Sequence, residues 1–383
     1  MSVSGKTSGP PSGLAGGRLK IDLSALADNY RQMQMHSTTA KAAAVVKANA
    51  YGLGVELAVP TLAAADCDTF FVAQADEGVT VRQLAPNARI FVIYGAPKGS
   101  ERALLEHRLV PLLCSPEQIE RWGKLIRTTA RPLPYGIHVD TGMNRTGLTM
   151  AEAQLIGTHA DVLKASGLCH VMTHPVCADD PDHLMNVRQR DSFQQVRAIF
   201  SGIESAYANS AAILTTGASG GEITRPGIAL YGGEAVNGTA NSMKPVVTAE
   251  TRIVQVRYAK AGETVSYGAT ETLTRDSKIA VCATGYADGY HRAAGNGVAL
   301  RQTGIAKSHG HIGGFRVPAL GRVTMDFTMF DVTDVPDAVL DTSEWIELFG
   351  KNIAIDDAAR AAGTIGYELL TSLGNRYHRE AVV

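Results

Sequence analysis

The chain has 383 residues, 45% of them hydrophobic and 19% charged, with a formal net charge of -1. That length suits two domains, because one hydrophobic core rarely grows past a few hundred residues. A near-neutral charge with no basic stripe excludes nucleic acid as a main partner, and no apolar run reaches the ~18 residues of a membrane span.

Residues 1–17, MSVSGKTSGPPSGLAGG, are rich in Gly, Ser and Pro and lack the apolar segment of a secretory signal. They read as a flexible tail. A short strand at 18–21 leads to a helix capped by Ser24, with Leu26, Tyr30 and Met33 on one face. Short apolar runs then mark strands at 43–47, 69–73, 89–93, 110–113, 133–139, 167–173, 205–208 and 227–231. Amphipathic helices such as 116–127, 151–163 and 188–200 lie between them. Eight strands alternating with helices predict an α/β fold whose N-terminal part, 18–243, is a (β/α)8 TIM-like barrel. A doubly wound open sheet is the alternative.

From 244 to 383 the rhythm changes. Strands at 246–257, 278–284, 298–301, 322–332 and 344–349 lack long helices between them, and two short helices, 356–362 and 366–372, close the chain. This predicts a separate, mostly-β C-terminal domain, which the strand at 18–21 joins. The five cysteines, Cys67, Cys114, Cys169, Cys177 and Cys282, are odd in number and widely spaced. They point to a cytoplasmic protein with neither a disulfide framework nor a metal site.

In such a barrel the chemistry sits at the C-terminal strand ends, with phosphate bound after strands seven and eight. The first strand ends in Lys47. It is either a lysine snorkelling to solvent or an amine of lowered pKa suited to a Schiff base. Tyr51 follows it, the fifth strand leads through His138 and Asp140 to Arg145, and the sixth ends at His174. Asn209 and Ser210 follow the seventh strand, and Arg225, Gly227 and Ile228 lie at the eighth. Ser210 and the N–H groups of Gly227 and Ile228 form an anion cradle at the expected phosphate position. A Schiff-base lysine beside a phosphate cradle implies pyridoxal 5'-phosphate (PLP).

The segments AVVKANAYGLG, HVDTGMNRTG, ANSAA, RPGIALYG, GYADGY, GRVTMD and GTIGYELL, in that order, resemble the motifs of the alanine racemase family. The resemblance runs from about residue 18 to the C-terminus. It implies a PLP-dependent isomerase that interconverts L- and D-alanine, for cell-wall peptide or for D-alanine catabolism. It also implies a homodimer with shared active sites. By resemblance, Lys47 carries PLP and is one catalytic base, and Tyr286 from the partner subunit is the other. Tyr51, Ser210, the backbone of Gly227 and Ile228, and Tyr367 hold the phosphate. Asn209, His174 and Arg225 complete the cofactor site, while Arg145 and the Met325 N–H bind the substrate carboxylate.

Two bases are needed because inversion removes a proton from one face of Cα and returns one on the other. A free tyrosine has a pKa near 10, so Tyr286 needs a cationic neighbourhood, assigned by resemblance to His174 and Arg225. An arginine facing the cofactor's ring nitrogen can only donate, which leaves that nitrogen neutral. Asp140 and Asp288 lie in Gly-containing turns, where local hydrogen bonding competes with a substrate role. Arg322 and Asp326 belong to an entry corridor or form a structural ion pair, and Tyr267 and Tyr290 line that corridor or simply pack.

The chain departs from the family pattern at His138, where many members carry a carbamylated lysine. A neutral imidazole accepts a hydrogen bond from Arg145 but supplies no fixed negative charge. A bound anion such as chloride, or a nearby carboxylate, is the hypothesis for that role. Electron density with His138 turned away from Arg145 and no anion nearby contradicts it. Ala206 likewise stands where the family often has histidine. A single-barrel PLP-binding protein is disfavoured by the second domain. A decarboxylase is disfavoured by Arg225 and by the burial expected of Cys282. A racemase of broader scope, acting on serine or lysine, remains the alternative.

Overall fold

The computed structural model of the chain describes residues 7–217, 221–295 and 308–382. The chain begins with β1 (Thr7–Ser8) and β2 (Gly17–Asp22), both outside the barrel. The barrel strands are β3 (Lys41–Ala42), β4 (Ala44–Val45), β5 (Thr69–Val72), β6 (Arg89–Val92), β7 (Val110–Leu113), β8 (Tyr135–His138), β9 (Leu168–Met172), β10 (Glu204–Asn209) and β11 (Ile223–Arg225). All pair in parallel in the order β3-β11-β10-β9-β8-β7-β6-β5-β4. Only Ala43 separates β3 from β4, so the two are one strand with β11 on one side and β5 on the other. The sheet therefore closes. β5, β7 and β8 are buried along their whole length, as strands covered on both faces must be.

The eighth strand is not where periodicity put it. Residues 227–231 form a 3-10 turn, Ile228–Tyr231, and the strand is Ile223–Arg225. Pro226 has no N–H to continue the ladder, so pairing stops before the apolar run begins. The helix predicted at 151–163 is two, Met150–Gly157 and Ala160–Ser166, broken after the weak helix former Gly157. The first helix, Leu23–His36, is capped by Asp22 rather than Ser24; the Asp22 carboxylate accepts the Ala25 N–H at 2.9 Å.

The remaining strands are β12 (Val247–Ala259), β13 (Thr264–Val265), β14 (Glu271–Thr272), β15 (Ser277–Cys282), β16 (His309–Ile312), β17 (Phe315–Leu320), β18 (Thr328–Asp331), β19 (Trp345–Phe349) and β20 (Tyr377–Val382). They form a sheet of order β1-β20-β2-β12-β15-β18-β17-β16-β19, with β13 and β14 apart as a hairpin. β12 also pairs with β19, so this sheet curls on itself. β2 runs parallel to β20 and antiparallel to β12. The strand expected at 298–301 lies outside the described residues. That expected at 322–332 shrinks to Thr328–Asp331, leaving 322–327 as a loop.

Residues 7–17, expected as part of a flexible tail, are tied to this sheet. β1 pairs with β20, the Pro10 carbonyl accepts from His378 Nδ1 at 2.9 Å, and Arg252 Nη2 donates to the Ser12 carbonyl at 3.0 Å. Among the described residues no helix is long and apolar enough to cross a membrane.

Candidate active site

Lys47 follows directly on β4 and opens a short turn, Lys47–Tyr51. Ala48, Asn49, Ala50 and Tyr51 all have left-handed φ, at 52°, 53°, 53° and 55°. For residues with a Cβ that conformation costs about 1–2 kcal/mol each, so neighbours must impose it. The Glu77 carboxylate accepts the Ala48 N–H at 2.6 Å, and the Asn49 side chain accepts the Val55 N–H at 2.8 Å. Burial, with Arg145 and Arg225 nearby, holds the Lys47 amine below its usual value; Glu77 opposes this.

The turn delivers Tyr51 to the barrel mouth, where its ring stacks on Tyr231 at 4.5 Å and lies 6.2 Å from Tyr367. Burial pushes the Tyr51 and Tyr367 hydroxyls up, keeping both protonated donors. Asn209 ends β10 and caps the helix Ser210–Thr216 through the Ala212 N–H at 3.0 Å. Ser210 Oγ accepts from the Gly227 and Ala229 N–H groups at 2.8 and 3.4 Å, on either side of Ile228. A Cβ at Gly227 would collide with the Tyr51 hydroxyl. Two hydroxyls and adjacent amides therefore converge on a space that only glycine keeps open, which suits a phosphate.

Arg225 ends β11 and is buried. Its Nη2 donates to the Thr173 and Tyr207 carbonyls at 2.6 and 3.1 Å, and its Nη1 lies 3.5 Å from His174 Nδ1. Its Nε is buried without a partner among the described residues. Burial and Arg145 bring its pKa down to about 10, so it stays charged at neutral pH. Burial, Arg225 and Arg145 push His138 down to about 4, and the same causes hold His174 well below the usual range. Both imidazoles are thus neutral. His174, expected to share in a cationic neighbourhood, supplies an acceptor for Arg225 instead. Fixed positive charge from Arg145 and Arg225 remains, apt for a ligand with phosphate and carboxylate groups.

Arg145 sits in the loop after β8, which is closed by a bridge between Val139 and Leu148. Asp140 caps its own turn through the Gly142 and Met143 N–H groups, both at 2.8 Å. Buried His138 Nδ1 has no partner.

Tyr286, in the 3-10 turn Tyr286–Asp288 after β15, and Met325, in the loop before β18, lie side by side. The Tyr286 N–H donates to the Thr324 carbonyl and the Ala287 N–H to the Met325 carbonyl, both at 3.0 Å. Asp288 locks this turn, accepting the Gly285 N–H at 2.9 Å and pairing with Arg376 at 2.7 Å. Asp326 also pairs with Arg376, not with Arg322. Both side chains are exposed, Tyr286 at 43% and Met325 at 54%. No hydrogen bond or ring contact among the described residues joins them to the Lys47 cluster. Tyr290 packs inside the protein and bonds Ser308 at 2.8 Å, whereas Tyr267 is exposed.

Three residues escaped the sequence reading. Glu77 binds the Lys47 turn. Gln189, buried in the helix Met185–Ile199, donates to Thr141 Oγ1 and the His174 carbonyl at 3.0 Å and accepts the Val176 N–H at 2.8 Å. It thereby ties the Arg145 loop to the His174 loop. Arg379 of β20 donates to the Gly52, Leu373 and Gly374 carbonyls, joining the Tyr51 turn to the Tyr367 segment. Cys282 is fully buried, its thiol pushed up by that burial. Among the described residues no three His, Cys, Asp or Glu side chains gather as metal ligands.

Comparison with known proteins gives a consistent likeness. A family model described as alanine racemase, N-terminal domain, matches residues 21–235, and one described as alanine racemase, C-terminal domain, matches 246–381. The chain is 50% identical over 370 residues to an alanine racemase of Rhizobium meliloti, covering 96% of this chain and 97% of that one. It is 48% identical over 367 residues to a biosynthetic alanine racemase of Agrobacterium fabrum, covering 96% and 94%. Among solved structures, alanine racemase from Bartonella henselae with covalently bound pyridoxal phosphate superposes with a TM-score of 0.87 at 32% identity. That match covers 96% of this chain and all of the other.

Proposed function

Because the chain belongs to the alanine racemase family, we propose that it interconverts L- and D-alanine with PLP as cofactor and works as a homodimer. The observation that carries this reading is a desolvated lysine at a barrel strand end under the influence of two arginines, together with a cradle of hydroxyls and amides at the ends of β10 and β11. These residues fit PLP: Lys47 for its aldehyde, Tyr51, Tyr367, Ser210, Gly227 and Ile228 for its phosphate, with Asn209 and His174 completing the site. The Arg225 Nε–H, without a partner among the described residues, would serve its ring nitrogen. When bound, PLP supplies an electron-withdrawing ring that acidifies the substrate Cα–H.

The chain's own groups do the rest. Lys47 Nζ exchanges the proton on one face of Cα, and Tyr286 Oη of the partner subunit exchanges it on the other. Arg145 and the Met325 N–H orient the carboxylate. Neutral His174, which accepts from Arg225, would link that arginine to the tyrosine of the partner subunit. Homodimerisation is supported by Tyr286 and Met325 facing solvent beside exposed Phe327, where a single chain makes no use of them. Five cysteines without a disulfide are consistent with a cytoplasmic setting.

Incubating PLP-loaded protein with L-alanine, L-serine or L-lysine and resolving the enantiomers by chiral chromatography tests the reading. L-Alanine should racemise fastest. Some serine turnover is expected, since discrimination by pocket size is worth only about 1–3 kcal/mol. Faster serine or lysine turnover would overturn the substrate, and an amine product would overturn the reaction.

A further inference from the structure

The turn after Lys47 is held at its first left-handed residue by a charged side chain from another element. Glu77, in the first turn of the helix Ala75–Leu84, spreads its carboxylate over three amides: Oε1 accepts from Ala48 at 2.6 Å, and Oε2 from Ala73 and Gln74 at 2.8 and 3.0 Å. Ala48 is the residue after Lys47 and the first of the left-handed run. Elsewhere in that run the Ala50 N–H donates to the Val46 carbonyl at 3.0 Å and the Gly52 N–H to the Ala48 carbonyl at 2.8 Å, while Asn49 Oδ1 accepts the Val55 N–H and Arg379 reaches the Gly52 carbonyl. The groups acting on the Lys47 amine are Arg145 from the loop after β8, Arg225 from β11, His174 after β9, and Glu77. Glu77 is the single acid among them.

We propose that Glu77 is a positioning residue for the lysine, its carboxylate, spread over the Ala48, Ala73 and Gln74 amides, at once imposing the left-handed turn that aims Lys47 and supplying the one negative charge among the groups around it. This rests on Lys47 being the cofactor-bearing lysine. The two duties separate chemically. Glu77→Gln keeps one oxygen that can accept the Ala48 N–H but removes the charge and the second acceptor that serves Ala73 and Gln74, and Glu77→Ala removes the charge and all three bonds. Loss of a neighbouring negative charge disfavours the ammonium form, so the amine of Glu77→Gln must deprotonate at lower pH.

The test is uptake of PLP by the apoprotein, followed by visible absorbance across pH, with hydrogen exchange of the peptide spanning residues 47–52 measured by mass spectrometry. Glu77→Gln should move the midpoint of uptake downward by about half a pH unit or more, raising the rate on the acid limb at least threefold, with exchange close to wild type. Glu77→Ala should exchange that peptide at least tenfold faster, and Glu77→Asp should restore the wild-type midpoint. An unchanged midpoint in Glu77→Gln, or unchanged exchange in Glu77→Ala, would overturn the proposal. Exchange in the wild-type apoprotein is decisive even if a variant fails to fold: an unprotected 47–52 peptide refutes an imposed turn. Borohydride reduction and peptide mapping locate the cofactor-bearing lysine independently. A label elsewhere than Lys47 would sink the underlying reading instead.

Discussion

His138 and His174 are imidazoles buried among arginines, and that placement has a measurable consequence. Each sits below its unfolded value near 6.5, His138 at about 4. Between pH 6.5 and 4 the unfolded chain therefore binds protons that the native state refuses. Stability is greatest above 6.5 and falls as pH drops through that window, by up to about 1.4 kcal/mol per unit per group. Thermal melts of the apoprotein should show this loss, and His138→Asn should soften it. Equal acid sensitivity in that variant would mean His138 is not held neutral. At the catalytic positions, Tyr286→Phe should lower kcat about 10²–10⁴-fold while leaving the fold and cofactor uptake intact, as steady-state kinetics will show. Lys47 and Arg225 stood out because a charged side chain ending an apolar strand is costly and needs a reason, and Ser210 because it follows the seventh strand, where this fold binds phosphate. Glu77 and Gln189 were not, because a side chain that bonds backbone amides on other elements leaves no periodic trace in its own.

Two local rules competed with periodicity among the elements, and both won. The apolar run 227–231 reads as a strand, yet Pro226 ends the ladder and the run instead forms the turn beside the phosphate cradle. Ser24 reads as a cap, yet β2 extends one residue farther and hands the role to Asp22. Replacing Asp22 by Ala should therefore cost about 1 kcal/mol in denaturant melts, while Ser24→Ala, exposed and outside the cap, should cost almost nothing. The reverse ranking would restore the sequence assignment. The cradle makes its own prediction. Gly227→Ala drives a methyl group against the Tyr51 hydroxyl, so PLP affinity should fall at least tenfold by equilibrium dialysis with little change in melting temperature. Undiminished affinity would mean that phosphate binds elsewhere.

Across the whole molecule, the alternation of strand and helix made the barrel legible, since eight parallel strands need crossover helices. The second sheet was less so. β16, β17 and β20 are short and carry His, Pro, Arg and Glu, and β1 hides within a segment composed like a disordered tail. Their pairing is set by partners far away in sequence, which no local window sees. Connections of the same sheet carry Tyr286 and Met325 outward, on the surface, while the barrel holds Lys47 and Arg225 inward. A complete active site on this account needs two copies of the chain.

Subunit exchange between Lys47→Ala and Tyr286→Phe, each inactive alone, tests that claim most directly. In a symmetric dimer with shared sites, random reassortment pairs an intact Lys47 with an intact Tyr286 of the partner subunit in about a quarter of the sites. Alanine racemisation should return to about a quarter of the wild-type rate per site. If the mixture stays inactive although mass spectrometry finds hybrid dimers, the two bases come from one chain and the shared-site account is wrong.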